Sequence, residues 1–124
     1  SRPLNFETEE DERNYIKEAI RSCFSSMDNK FLDRPQVKST TGSCALVACF
    51  YKKWVFVANI GDSRAILCTS ADDEWCAKPL SVDQDCQNEK ECMLVRQRTA
   101  DKNPIRRSPL SGGPLRVAGS LMVT

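Results

Sequence analysis

Two apolar segments joined by a two-residue polar turn constrain the fold of this chain most strongly. Residues 44–51 and 54–60 are rich in Val, Ala, Phe and other apolar side chains, and Lys52-Lys53 lies between them. Both segments are too short to span a membrane as helices, and their β-branched and aromatic residues favour strands. A third apolar segment, residues 65–69, follows the turn Gly61-Asp62-Ser63. The pattern predicts consecutive antiparallel strands, and the nearly continuous apolarity predicts that both of their faces are covered.

The remaining elements follow from turn and capping residues. Residues 70–74, four of which are polar, predict a turn that leads into a fourth strand over 75–82, where Pro79 favours an edge position. The central strands therefore occupy 43–82 as an antiparallel meander. Residues 99–114, rich in Pro and Gly, predict a surface loop, and residues 115–124 predict a last strand.

Two helices are predicted outside the central strands. Thr8 is a suitable N-cap, and it is followed by four acidic residues that suit the first turn of a helix. Apolar residues recur at intervals of three and four up to Phe31, which predicts a helix over 8–32. Its apolar side packs on the core or, as an alternative, on a partner protein. Asn88 can cap a second, shorter helix over 88–98.

Composition limits the class of protein. A length of 124 residues suits one small domain, and a net charge of +1 gives no electrostatic reason for binding nucleic acid. No segment is apolar for long enough to span a membrane. The seven cysteines form no C-x-x-C pair and no histidine is present, so neither zinc nor a disulfide framework is indicated. We therefore expect free, mostly buried thiols in an intracellular protein, cytoplasmic or nuclear.

Asp62 is the candidate site residue, although an Asp beside a Gly is usually a turn former. Nearby, Asp83-Gln84-Asp85 resembles the start of a calcium loop, but Asn88 replaces the required Gly and Leu94 the closing Glu.

The residues around both turns resemble those of a known family. Gly42-Ser43-Cys44-Ala45 and Val57-Ala58-Asn59-Ile60-Gly61-Asp62-Ser63-Arg64-Ala65 resemble the Gly-Ser-Thr-Ala and Val-Ala-Asn-Val-Gly-Asp-Ser-Arg-Ala motifs of the type 2C metal-dependent protein phosphatases. The resemblance extends over most of residues 15–124. It implies an α+β fold, an antiparallel β-sandwich flanked by helices, of which this chain contains a part. Gln84 stands where the family usually has histidine.

The resemblance also implies a chemistry. Members of this family hydrolyse phosphoserine and phosphothreonine in proteins with a water bound between two Mg²⁺ or Mn²⁺ ions. Among the family residues linked to metal, only Asp62 has a match in this chain. The role that the resemblance implies for it is binding of an additional, weaker ion beside the main pair. The family's other metal motifs, Asp-Gly-His-Gly, Asp-Gly-x-x-Asp and Gly-Asp-Asn, do not occur in this sequence, so no catalytic residue is assigned. We expect the isolated chain to be inactive, and its incomplete sandwich to self-associate.

Three hypotheses fit the sequence. The chain is an internal part of an active phosphatase, a pseudophosphatase scaffold that binds a protein partner without catalysis, or an unrelated binding module. A separate motif, Arg106-Arg107-Ser108-Pro109, resembles a kinase target, for which a solvated charged loop is the alternative.

Overall fold

A computed structural model of the chain describes residues 5–35, 42–110 and 112–119. The chain divides into two units, Ser1–Ser39 and Thr40–Thr124. The first unit contains helix α1, Glu9–Leu32. The backbone N–H of Asp11 donates to Thr8 Oγ1 at 3.0 Å, so Thr8 is the N-cap as predicted. No helix in the described part of the chain combines the length and the apolarity needed to cross a membrane.

The second unit begins with a hairpin. Strand β1, Ala45–Tyr51, pairs antiparallel with β2, Trp54–Ile60, from Tyr51 opposite Trp54 to Ala45 opposite Ile60. The two-residue Lys52-Lys53 turn, with Lys52 at a φ of 51°, closes it. The stacked rings of Tyr51 and Trp54, with centroids 6.5 Å apart, close the hairpin on one face.

The next two strands form a separate pair. Strand β3, Ile66–Ala71, pairs antiparallel with β4, Glu74–Pro79, across a turn in which Asp72 and Asp73 both have positive φ. Two consecutive left-handed residues are the geometry of the tight hairpin turn that suits twisted strands. Pro79 is the last residue of β4, where its missing N–H interrupts no further ladder bond.

The predicted meander is wrong in one respect, because β2 and β3 do not pair with each other. The residues between them bond to the chain that follows β4 instead. The Ala65 N–H donates to Ser81 Oγ at 2.9 Å, and the Gly61 N–H donates to Gln84 Oε1 at 3.0 Å. These long-range bonds hold 61–65 alongside 80–84, so the chain does not turn back on β2.

The end of the second unit also differs from the prediction. Helix α2, Glu89–Arg98, is capped by Asn88, whose Oδ1 accepts from the Lys90 N–H. The predicted loop over 99–114 instead contains strand β5, Ile105–Ser108, and the start of β6, Gly112–Val117, with which it pairs antiparallel. Burial of Ile105 opposite Val117 stabilises this hairpin. The strand predicted over 115–124 thus begins earlier. It ends at Val117, where Ala118 and Gly119 have positive φ, and residues 120–124 lie outside the described residues.

A small core forms beside α2 rather than between the central strands. Cys86, Cys92 and Ile105 are buried there, with Val95 and Val117 packed against them. The prediction that both faces of the central strands are covered is wrong for the described residues, since Phe50 on β1 and Trp75 on β4 are each 78% exposed. In the described part of the chain, the β1–β2 pair and the β3–β4 pair are separate two-stranded sheets, and neither has a second layer packed on it. The predicted α+β class with antiparallel strands is confirmed.

Candidate functional site

Asp62 follows the end of β2 and is held by a close approach of two backbone segments. Gly61 is buried, with a φ of 92°, and a Cβ added there would lie 2.6 Å from Cys44 Sγ. The adjacent Asp62 is exposed, and its Oδ1 accepts a hydrogen bond from the Cys44 thiol at 3.0 Å. The positive φ and the lack of space for a Cβ therefore both require glycine at position 61. The carboxylate of the next residue, Asp62, lies at the surface.

Three hydrogen bonds secure the Gly61 peptide groups. The Gly61 N–H donates to Gln84 Oε1 at 3.0 Å, and the Gly61 carbonyl accepts from the Gln84 N–H, also at 3.0 Å. Asn59 Nδ2 donates to the same carbonyl at 3.0 Å and to the Val82 carbonyl at 3.2 Å. The turn that carries Asp62 is consequently tied to the 82–84 segment from both sides.

A bidentate ion pair between Arg64 and Asp83 also joins the Asp62 turn to the 82–84 segment. Arg64 Nε donates to Asp83 Oδ1 at 3.0 Å and Arg64 Nη2 donates to Asp83 Oδ2 at 2.6 Å. This fork geometry is the strongest arrangement of a guanidinium and a carboxylate. The hydrogen bond from Arg64, aided by its positive charge, lowers the pKa of Asp83 below its usual range.

The turn before α2 orients a second carboxylate. Asp85 Oδ1 accepts from the backbone N–H groups of Gln87 at 2.8 Å and Asn88 at 3.2 Å. Asn88 Nδ2 donates back to the Asp83 carbonyl at 3.1 Å, which fixes the turn against the segment that holds Asp62. The spacing around Asp85 does not fit a calcium loop, but Asp85 lines the same cleft as Asp62.

That cleft has a volume of about 350 Å³ and carries charges of both signs. Asp62 and Asp85 contribute carboxylates, and Arg107 of β5 contributes a guanidinium whose Nη1 also donates to the Gly113 carbonyl. The remaining lining residues are Cys86, Gln87, Pro114 and Leu115. Carboxylates suit a hard cation and a guanidinium suits a phosphate or carboxylate, so the cleft has groups for both.

A two-metal centre needs several clustered carboxylates. Among residues 5–35, 42–110 and 112–119, no group of three or more Cys, Asp or Glu side chains is placed to hold an ion. Oxygen donors from Asp62 and Asp85 suit Mg²⁺ or Mn²⁺, which keep several waters when few protein ligands are present. The described residues therefore offer carboxylate oxygens at the cleft but do not form a two-metal centre.

The structure changes the predictions for Ser108 and for the thiols. Ser108 lies in β5 opposite Gly112 and is half-buried, so it is not part of a solvated loop. All seven cysteines are free thiols, but only Cys86 and Cys92 are buried, which contradicts the expectation of mostly buried thiols. The Cys92 thiol donates to the Cys86 carbonyl at 3.3 Å. Burial is the main cause that raises the pKa of Cys86, and the nearby Cys92 and Asp85 raise this pKa further.

Arg107 was missed as a cleft residue because the sequence places it in a predicted loop. The available signal was the Gly112-Gly113 pair, since Gly112 and Gly113 both have positive φ at the start of β6. Glycine in the few residues between two strand segments is a hairpin signal, and the hairpin places Arg107 opposite Leu115.

Comparison with known proteins identifies the family. The sequence pattern of the family described as Protein phosphatase 2C matches residues 3–123. The chain belongs to this family. Probable protein phosphatase 2C 43 of Oryza sativa subsp. japonica is 31% identical over 123 residues, which is 91% of this chain and 31% of that protein.

Two shorter matches agree with this membership in the protein phosphatase 2C family. Protein phosphatase 2C 56 of Arabidopsis thaliana is 37% identical over 79 residues, 64% of this chain and 17% of that protein. Protein phosphatase 2C homolog 2 of Aspergillus fumigatus (strain ATCC MYA-4609 / CBS 101355 / FGSC A1100 / Af293) is 36% identical over 77 residues, 61% of this chain and 17% of that protein. The chain therefore spans about a third or less of these relatives, and no solved structure matches it significantly.

Proposed function

We propose that this chain is part of a metal-dependent protein phosphatase that hydrolyses phosphoserine and phosphothreonine, with Asp62 as a ligand of Mg²⁺ or Mn²⁺. The observation that carries the proposal is the exposed Asp62 carboxylate, held on a buried glycine at the end of β2 and facing a cleft that also contains Asp85 and Arg107. Membership in the protein phosphatase 2C family supports the same assignment.

In the complete domain a bound metal supplies charge neutralisation at the phosphoryl group and a more acidic water. The residues of this chain perform the other tasks. The bonds of Gln84 and Asn59 to Gly61 hold the Asp62 carboxylate in place, and the thiol of Cys44 orients its Oδ1. Arg107 places positive charge at the cleft for an anionic group of the phosphoprotein substrate.

Binding of Mn²⁺ to the chain tests the role of Asp62. In NMR spectra recorded during a Mn²⁺ titration, paramagnetic broadening is expected to begin at the amides of Gly61, Asp62 and Ser63. Asp62→Asn should remove this broadening, and the matched change Asp72→Asn in the β3–β4 turn should preserve it. Broadening that is unaffected by Asp62→Asn would contradict the proposed role.

The isolated chain is proposed to be inactive, because the described residues do not form a two-metal centre. Metal-dependent turnover of a phosphothreonine peptide by the purified chain would contradict this. If a protein with a complete domain around this chain binds phosphoprotein partners but hydrolyses nothing, the pseudophosphatase scaffold becomes the better assignment. Gln84, in the position where the family usually has histidine, is the observation that favours that second candidate.

The exposed apolar strands support self-association of the isolated chain. Phe50 is 78% exposed and Val47 and Val55 are about half exposed on the β1–β2 pair. Analytical ultracentrifugation is expected to show oligomers that dissociate on dilution, and a single monomeric species at all concentrations would argue against this proposal. The seven free thiols support a reducing, intracellular location, cytoplasmic or nuclear.

A further inference from the structure

Gln84 makes an unusual pair of contacts with a single residue. Its side-chain Oε1 accepts from the Gly61 N–H and its own backbone N–H donates to the Gly61 carbonyl, both at 3.0 Å. The two residues are separated by 23 positions, and the side-chain bond is partly buried. Water competes weakly with a bond of this kind, so the glutamine fixes both the donor and the acceptor of Gly61.

The position of Gly61 determines that of the next side chain. Because its φ of 92° is available to glycine at little cost, the chain can turn sharply there and place Asp62 beside Cys44. The same freedom makes the turn easy to displace when its peptide groups are not held. Asn59 donates to the carbonyl of Gly61, whereas the acceptor for the Gly61 N–H is Gln84.

We infer that Gln84 is a positioning residue: by holding both peptide groups of Gly61, it sets the location of the Asp62 carboxylate at the cleft. The expected effect of Gln84 on metal binding rests on the proposed function of Asp62 as a metal ligand. Gln84 reaches Asp62 only through the glycine, so its removal is expected to weaken metal binding without removing a ligand.

The test compares three variants of the 124-residue chain. Gln84→Met preserves length and volume but removes the acceptor, and Gln84→Glu restores an acceptor oxygen at the same reach. Gln97→Met is the matched control, because Gln97 is exposed on α2. The readouts are the exchange rate of the Gly61 amide, the ¹³C shift of the Asp62 carboxyl group and the Mn²⁺ concentration that half-broadens the Asp62 amide.

Gln84→Met should raise the Gly61 exchange rate about fivefold to tenfold, as expected for loss of one hydrogen bond. It should also shift the Asp62 carboxyl signal and raise the half-broadening Mn²⁺ concentration several-fold. Gln84→Glu should restore the Gly61 exchange rate, and Gln97→Met should leave all three readouts unchanged.

Two results would overturn the inference. The first is an unchanged Gly61 exchange rate and Asp62 carboxyl shift in Gln84→Met. The second is an equal rise in exchange at the Ile105 amide of the core, which would show general loosening of the fold. Absence of Asp62-dependent broadening in the unchanged chain would instead refute the metal role of Asp62, and the two metal-free readouts would still decide the role of Gln84.

Discussion

Replacing Gly61 with alanine tests whether the junction beneath Asp62 is as crowded as the structure indicates. An alanine Cβ would lie 2.6 Å from Cys44 Sγ and 3.1 Å from Cys44 Cβ, at a φ of 92°. The left-handed conformation costs about 1–2 kcal/mol for a residue with a Cβ. Overpacking at a closely packed position costs about 1–3 kcal/mol more. Together these terms predict a loss of about 2–5 kcal/mol in the free energy of unfolding.

Gly113→Ala separates the two terms. Gly113 has a φ of 75°, and nothing lies within 4 Å of a Cβ added there. Only the conformational term of about 1–2 kcal/mol applies to it. Urea unfolding of both variants, followed by tryptophan fluorescence, measures the difference, which is the steric cost at Gly61.

The partner of the clash can also be removed. In Cys44→Ala the sulfur 2.6 Å from the new methyl group is absent, while the contact with Cys44 Cβ remains. The double variant Gly61→Ala/Cys44→Ala should therefore lose less stability than the sum of the single changes, which a double-mutant cycle reports as a coupling energy. Equal losses for Gly61→Ala and Gly113→Ala, with no coupling to Cys44, would refute the packing described here.

Three further predictions follow from the same unit. Because the folded-state pKa of Asp83 is lowered, the stability from its ion pair is complete above the ordinary Asp pKa of about 4 and is lost as the pH falls through the folded-state value. Urea midpoints measured from pH 6 to pH 2 should fall less steeply for Asp83→Asn, and an unchanged slope would contradict the pairing. Iodoacetamide at pH 8 should alkylate the exposed Cys76 well before Cys86, because Cys86 is buried and its pKa is raised. Peptide mass mapping measures the two alkylation rates, and equal rates would count against the burial of Cys86. Ile105→Ala, at 9% exposure, should cost about 2–4 kcal/mol in the free energy of unfolding. The control Phe50→Ala at a 78% exposed position should cost much less, and the reverse order would place the core elsewhere.

Local sequence signals predicted the elements whose causes are local. Thr8 and Asn88 cap helices at the predicted positions because a cap depends on residues within three positions. The Lys52-Lys53 turn was recognisable because apolar segments lie on both sides of it. Asp62 was identified as the candidate residue only through its resemblance to a family motif, since an Asp after a Gly is otherwise a turn former.

The errors arose where side chains distant in sequence decide the structure. Strands β2 and β3 diverge because Ser81 and Gln84 accept hydrogen bonds from the chain between them, and no local pattern indicates such bonds. Strand β5 has only four residues, too few for its alternation to stand out among Arg and Pro. The apolar composition of the central strands predicted cover on both faces, yet composition does not show which segment provides it.

The most direct test of the account is phosphatase activity in a protein that contains this chain within a complete domain. The substrate is a phosphothreonine peptide with Mn²⁺ present, and the comparison is between the unchanged protein, Asp62→Ala and the control Asp72→Ala in the β3–β4 turn. We expect Mn²⁺-dependent hydrolysis that falls at least about tenfold with Asp62→Ala, because a metal ligand is lost, and that is preserved in Asp72→Ala. A folded protein that hydrolyses nothing at high Mn²⁺, or activity unaffected by Asp62→Ala, would contradict it.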